Sequence, residues 1–302
     1  MLPDSIIVFE RGWLSANNVL LVGAGPVTLV DSGYCTHSEQ TLTLIRNALG
    51  SRPLDRLVNT HLHSDHCGGN AGLQTEFPQL ATYIPPGHAD EVSRWDDVAL
   101  TYAPTGQSCP RFRFDRTLEP GSIQQFGDGE WEIHASPGHD PHSVLLFSAR
   151  DGILISGDAL WETGFGVVFP ELEGISAFSA VGDTLDLIEA LAPSVVIPGH
   201  GRIFTDIPSA LSVARRRLDG FMRDPAKHGG YAAKVLLKFK LLEVQKISRD
   251  ELHTWTNTAS YLGLLHAMYG NARSKSEWTD QLIEELSISG ALKIEGEYLQ
   301  NC

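Results

Sequence analysis

Between residues 60 and 70 the chain runs T-H-L-H-S-D-H-C-G-G-N, placing His61, His63, Asp65 and His66 within six residues at the end of the apolar run LDRLVNT (54–60). Imidazole nitrogen and carboxylate oxygen are ligand types that borderline-soft zinc accepts, and catalytic zinc sites keep one position open for water. Alternation sets the rings at 61 and 63 on one side of an extended loop. Asp65 and His66 then fall at the start of the next turn or helix, where they can face a second ion a few ångströms away.

Three later segments repeat one punctuation: a strand-like run, a glycine, then a metal-binding residue. They are S-P-G-H-D (136–140) with His139, S-G-D-A-L (156–160) with Asp158 and I-P-G-H-G (197–201) with His200. Each glycine lets the backbone turn sharply and approach closely, so that the following side chain can be aimed at a common centre. Five histidines and two aspartates are thereby available, and a carboxylate such as Asp158 suits a bridging position.

The elements around these segments read as a sheet-and-helix layered domain. SIIVFE (5–10), NNVLLVG (17–23) and PVTLVD (26–31) are β-branched-rich strands, the last two joined as a hairpin by Ala24-Gly25. Thr36 and Glu39 stand at capping-box spacing before a helix over 37–49, with Gly50 as its stop. Strand patterns recur at 131–136, 143–149, 152–157 and 194–198, and Phe178, Val181, Leu185, Ile188 and Leu191 keep helical spacing over 176–192. From 206 the pattern turns helical, with Ser248 and Glu251 again at capping-box spacing, and ALKIEGEYLQ closes as a small hairpin. The division expected is a catalytic domain over 1–205 and a mainly helical, winged-helix-like domain over 206–302.

Net charge is −14, and residues 1–200 hold nine arginines, no lysine and 25 acids, whereas residues 201–302 hold 14 basic and 12 acidic residues. This balance argues against a nucleic-acid partner, whose affinity depends on Lys and Arg neutralising phosphate. The four cysteines (35, 67, 109 and 302) show no CxxC spacing, so no disulfide framework is expected and a reducing, cytoplasmic setting fits. No run has the apolar length of a membrane span, and the first residues lack a secretory pattern.

Four motifs in this order, covering about two-thirds of the chain, resemble the metallo-β-lactamase-fold hydrolases. The resemblance implies an α/β, four-layer αββα sandwich with a C-terminal helical extension and the metals at one edge between two sheets. It also implies that His61, His63 and His139 hold a first metal and that Asp65, His66 and His200 hold a second, with Asp158 bridging. The bridging Asp is similar to the glyoxalase-II type, whereas classical zinc β-lactamases of the best-known subclass carry Cys there, so antibiotic hydrolysis is not the expected task. Flavo-diiron oxidoreductases carry Glu at the place of His63. Persulfide dioxygenases share the histidine motif while using a single iron, and stay open as an alternative.

The expected activity is therefore hydrolysis of a small thioester, lactone or other ester by hydroxide that two Zn²⁺ ions generate, Fe or Mn being acceptable to the same donors. Asp65 would orient the hydroxide as well as bind metal. A nuclease or phosphodiesterase is the second hydrolytic reading, and a metal-stabilised binding module the non-enzymatic one. For the substrate, a small molecule, His142, Trp161, Phe165 and Arg111 are candidates, with Arg113 beside the last. His142 could instead hydrogen-bond His139, and Trp161 and Phe165 could be ordinary core aromatics. Cys67 reads as a packing residue, and His37, His88, His134, His228, His253 and His266 as surface or hydrogen-bonded core residues. Arg215–Arg217 with Lys234, Lys238 and Lys240 read as a solvated helix face or an interface with an acidic partner, and the tail is a candidate homodimer element.

Overall fold

The structure, a computed structural model, describes residues 2–270 and 272–302. Its first sheet has six strands in sequence order: β1 (Ile6–Phe9), β2 (Asn18–Leu21), β3 (Thr28–Val30), β4 (Arg56–Val58), β5 (Ala81–Ile84) and β6 (Arg116–Thr117). The first three are antiparallel, and β3 through β6 run parallel. The second sheet contains β7 (Ile123–Phe126), β8 (Gly129–Ala135), β9 (Val144–Ser148), β10 (Ile153–Gly157) and β11 (Val195–Pro198). Here β7 to β10 form an antiparallel meander, and the helix Phe178–Leu191 crosses over to bring β11 in parallel to β10.

Period-two alternation sorts the apolar side chains into three layers. Val19, Leu21, Val30 and Val58 of the first sheet meet Ile133, Leu146, Ile155 and Ile197 of the second in the sandwich interior. Leu20, Leu29 and Leu57, on the opposite face, pack on Leu42, Ile45 and Leu49 of the helix Ser38–Leu49. Leu145, Phe147, Leu154 and Val196 likewise cover the far face of the second sheet and pack on Leu185 and Ile188. Both sheets are thus sandwiched between helices, giving the four-layer αββα architecture.

The helix Ser38–Leu49 begins differently from the Thr36/Glu39 capping box. A 3₁₀ turn over Cys35–His37 leads into it, and its N-cap His37 makes no side-chain cap. The His37 ring is drawn instead to Ser15 Oγ at 2.8 Å, and Ser38 Oγ donates to Cys35 O. Gly50 ends the helix at φ +59°, as its position implies.

Beyond β11, the helix Ile207–Arg223 lays Ala210, Leu211, Ala214 and Leu218 into the cluster that contains Leu185, so it completes the outer helical layer. A separate cluster begins with the helix Pro225–Val244 and gathers the helices Arg249–Thr258, Ser260–Tyr269 and Lys275–Ile288. It also takes in Val167 and Leu172 from the sandwich. The strands β12 (Lys246–Ser248), β13 (Leu292–Glu295) and β14 (Tyr298–Asn301) pair in the order β12-β14-β13 beside these helices. Ser248 and Glu251 form the expected capping box, and Ser274 and Glu277 form a second. No helix among the described residues is long and apolar enough to cross a membrane, and the four cysteines are free thiols.

Leu185 is fully buried where the crossover helix meets the second sheet. Leu185→Ala is expected to destabilise the fold by about 2–5 kcal/mol, read as a lower urea midpoint at unchanged slope.

Candidate metal centre

The carboxyl ends of β4, β8, β10 and β11 meet at one edge of the sandwich, and each leads into one of the motif segments. After β4 the chain runs through His61 and His63 into the short helix Ser64–Cys67. After β10, Gly157 takes φ +50° and delivers Asp158. Gly199 lies so close to this carboxylate that a Cβ there would collide with Asp158 Oδ1.

Two groups result. In the first, His139 Nε2 lies 2.8 Å from His63 Nδ1 and 3.3 Å from His61 Nε2. His139 Nδ1 donates to the Val167 carbonyl at 2.6 Å, so Nε2 offers only a lone pair. Burial, then neighbouring His139, pushes His63 down to about 4. His61 is held well below the ordinary imidazole value by burial and by His66, His63 and His139. Burial also lowers His139, against the pull of Asp158 and Asp140. These rings are therefore neutral at pH 7. If His63 carries its proton on Nε2, facing Asp140 Oδ2 at 3.8 Å, two or three lone pairs point at one another. That arrangement repels itself and suits a cation.

In the second group, His200 Nε2 lies 3.2 Å from Asp65 Oδ2, and His66 completes the set. His66 Nδ1 is committed to Asp31 Oδ2 at 2.8 Å, and its Nε2 is buried with no hydrogen-bond partner. Burial opposes charge on His66, but Asp158 and Asp31 outweigh it and raise its pKa well above normal. Burial likewise works against ionised Asp158, yet His200 and His66 hold it well below the usual carboxylate range. Asp65 is lowered too, its hydrogen bond from His200 overcoming burial. Asp158 stands between the groups, with Oδ1 3.4 Å from His66 Nε2 and Oδ2 3.5 Å from His139 Nε2 and 3.8 Å from His200 Nε2. The sets His61/His63/His139, His61/His66/Asp158 and Asp65/His66/His200 each bring their ligand atoms within 4.8 Å of one another and could hold a metal ion. The orphaned His66 Nε2 and the convergence of ring nitrogens from His61, His63 and His139 fit bound divalent cations.

The four expected substrate residues separate. Trp161 lines the cleft above the site and donates Nε1–H to Asp158 Oδ1 at 3.1 Å. Phe165 is buried in the core facing the helix Ile207–Arg223. His142 packs its ring against His88 at 4.4 Å between centroids and makes no bond to His139. Arg111 donates to the Ser93 carbonyl and, with Arg113, stays outside the cleft. Cys67 is fully buried. Of the six remaining histidines, His37, His134, His228, His253 and His266 have hydrogen-bond partners.

Other residues escaped the sequence reading. Asp31 accepts from Thr60 N, Thr60 Oγ1 and His66 Nδ1; its signal was a carboxylate at the end of an apolar strand. Trp13 stacks on His200 with ring centroids 5.3 Å apart and planes 9° from parallel. Tyr231, Val235, Leu236 and Phe239 of the helix Pro225–Val244 wall the cleft opposite the ligands. Only tertiary structure brings that helix here.

Comparison with known proteins bears on the family and the fold. The hydroxyacylglutathione hydrolase of Haemophilus ducreyi is 27% identical over 161 residues, 53% of this chain and 57% of that protein, so this chain spans little more than half its length. A metallo-beta-lactamase family protein of Thermus thermophilus superposes with a TM-score of 0.59 over 100% of both chains at 17% identity. A protein solved in a di-iron-bound form superposes with a TM-score of 0.54 at 26% identity, over 70% of this chain and 97% of the other. The family model of the metallo-beta-lactamase superfamily matches residues 11–200, the span that supplies both candidate ligand groups, and the chain belongs to that superfamily.

Proposed function

We propose that this protein is a dinuclear-metal hydrolase of a small carbonyl substrate, a thioester first and a lactone or other ester next. His61, His63 and His139 would hold one cation and Asp65, His66 and His200 the other, with Asp158 shared. The observation that carries this reading is the place of Asp158, within 4 Å of ring nitrogens from both groups. Zinc fits the donors, and iron or manganese would also be accepted. Bound divalent cations supply acidified water near neutral pH and polarisation of the scissile carbonyl.

The chain's own groups do the rest. Asp65, ionised and bonded through Oδ2 to His200, keeps its other oxygen to accept a hydrogen from the attacking water and aim it. Trp161 Nε1–H fixes Asp158, the Val167 carbonyl fixes the tautomer of His139, and Asp31 orients His66. Phe169, Val235, Leu236 and Phe239 exclude bulk water from the cleft. Among the described residues no lysine or arginine lines it, which favours a small acyl group over a nucleic-acid backbone.

The test is elemental analysis of purified protein coupled to a panel of thioesters, lactones, phosphodiesters and persulfides. We expect about two metals per chain, thioester turnover abolished by a chelator, and recovery on adding Zn²⁺. One iron per chain with oxygen uptake on persulfide would replace the proposal. Asp65→Asn is expected to leave a folded protein that holds less metal and whose turnover is down by about 10²–10⁴; full turnover with full metal content would contradict its role. Asp31→Asn is expected to weaken cation binding about 10–100-fold, measured by competition with a chromogenic chelator.

A further inference from the structure

A second groove, of about 510 Å³, adjoins the metal cleft and shares Trp13, Trp161, Tyr231, Val235 and Phe239 with it. Its floor is one face of the helix Pro225–Val244 from Tyr231 to Leu242, some 16 Å of helix at 1.5 Å per residue. Thr163 and the end of the helix Lys275–Ile288 form the other side. The hydrolytic chemistry at the ligand groups leaves this groove unused.

The cations around it are unequal. Lys234 pairs with Glu285 at 2.9 Å, and Lys238 donates to the Ala291 and Cys302 carbonyls and to Asn301 Oδ1. On the neighbouring helix Arg215 pairs with Asp186 and Glu189. Arg217 lines the groove and, among the described residues, has no carboxylate partner. Its guanidinium lies 4.2 Å from the Tyr231 ring centroid and 5.5 Å from those of Phe165 and Phe221. Three aromatic rings pack about the guanidinium without supplying a negative charge, so its charge is left for an anion. In a chain of net charge −14, a fixed positive group on an apolar wall gives the groove a polarity of its own.

We propose that this groove receives the distal part of an extended amphipathic substrate, an apolar chain ending in a carboxylate that Arg217 binds, while the scissile bond lies at the metal cleft. The substrate class rests on the hydrolase reading; the anion subsite does not.

Two arms separate them. In the first, binding of dodecanoate and of uncharged dodecanamide to the metal-loaded protein is followed by tryptophan fluorescence. We expect dodecanoate to bind at least tenfold more tightly, the preference to vanish in Arg217→Gln, to return in part in Arg217→Lys and to persist in Arg215→Gln. Equal affinities in the native protein, or a preference that survives Arg217→Gln, would overturn the subsite, the latter by placing the carboxylate elsewhere, the cations included. In the second arm, N-acetylcysteamine thioesters of dodecanoate and of its ω-carboxy analogue are compared. We expect the acidic thioester to show at least a tenfold lower KM, lost in Arg217→Gln. Turnover of both at equal KM would overturn the subsite, whereas an intact binding preference without turnover of either would uphold it and overturn the assignment of thioester as the substrate class alone.

Discussion

Asp31 is buried at the end of β3 and accepts three hydrogen bonds, two from Thr60 and one from His66. A carboxylate so deep in the sandwich is costly unless fully paired, and here the pairing organises the site. It ties the end of β3 to the loop after β4, fixes the His66 ring and turns Nε2 toward Asp158. Thr60 Oγ1 also lies 3.1 Å from His61 Nδ1, so one carboxylate sets the register of the first histidine of the motif and the last. The backbone at Asp31 adopts φ +58°, a left-handed conformation uncommon outside glycine. The strain is held by the bonds that the side chain makes.

Those features were unevenly legible in the sequence. The elements with a continuous apolar run or a 3.6 pattern stood out, because Val144–Ser148 is buried on both faces and Phe178–Leu191 buries one face against a neighbouring layer. The strands Ala81–Ile84 and Ile123–Phe126 did not. The first holds polar Thr82 in a buried parallel position, and the second exposes Ile123 and Gln125 on a sheet edge. The capping box before the first long helix failed because Ser15, distant in sequence, captures His37 and a 3₁₀ turn replaces the cap. Spacing alone cannot register a competitor from another part of the chain.

The site divides in the same way. The seven side chains of the two ligand groups were readable because their chemistry is local: strand end, glycine, ligand. The walls were not, since Trp13 reaches His200 from the first hairpin and Tyr231 and Phe239 come from a helix beyond the matched family span. Arg111 drew attention by its charge, but it stays outside the cleft and donates to the Ser93 carbonyl. Arg217 lay hidden in a triplet whose other members are neutralised or solvated, and only packing on aromatic rings sets it apart.

The order of these parts along the polypeptide has a consequence for its birth. Every candidate metal ligand precedes residue 201, whereas the helix that roofs the cleft spans residues 225–244. Synthesis from the amino end therefore completes the half that carries the candidate ligands first and leaves its mouth open to the surroundings until the later helix docks. On the proposed reading, a cation would reach its ligands through a wide entrance, and the walls formed by Tyr231 and Phe239 would narrow it only afterwards.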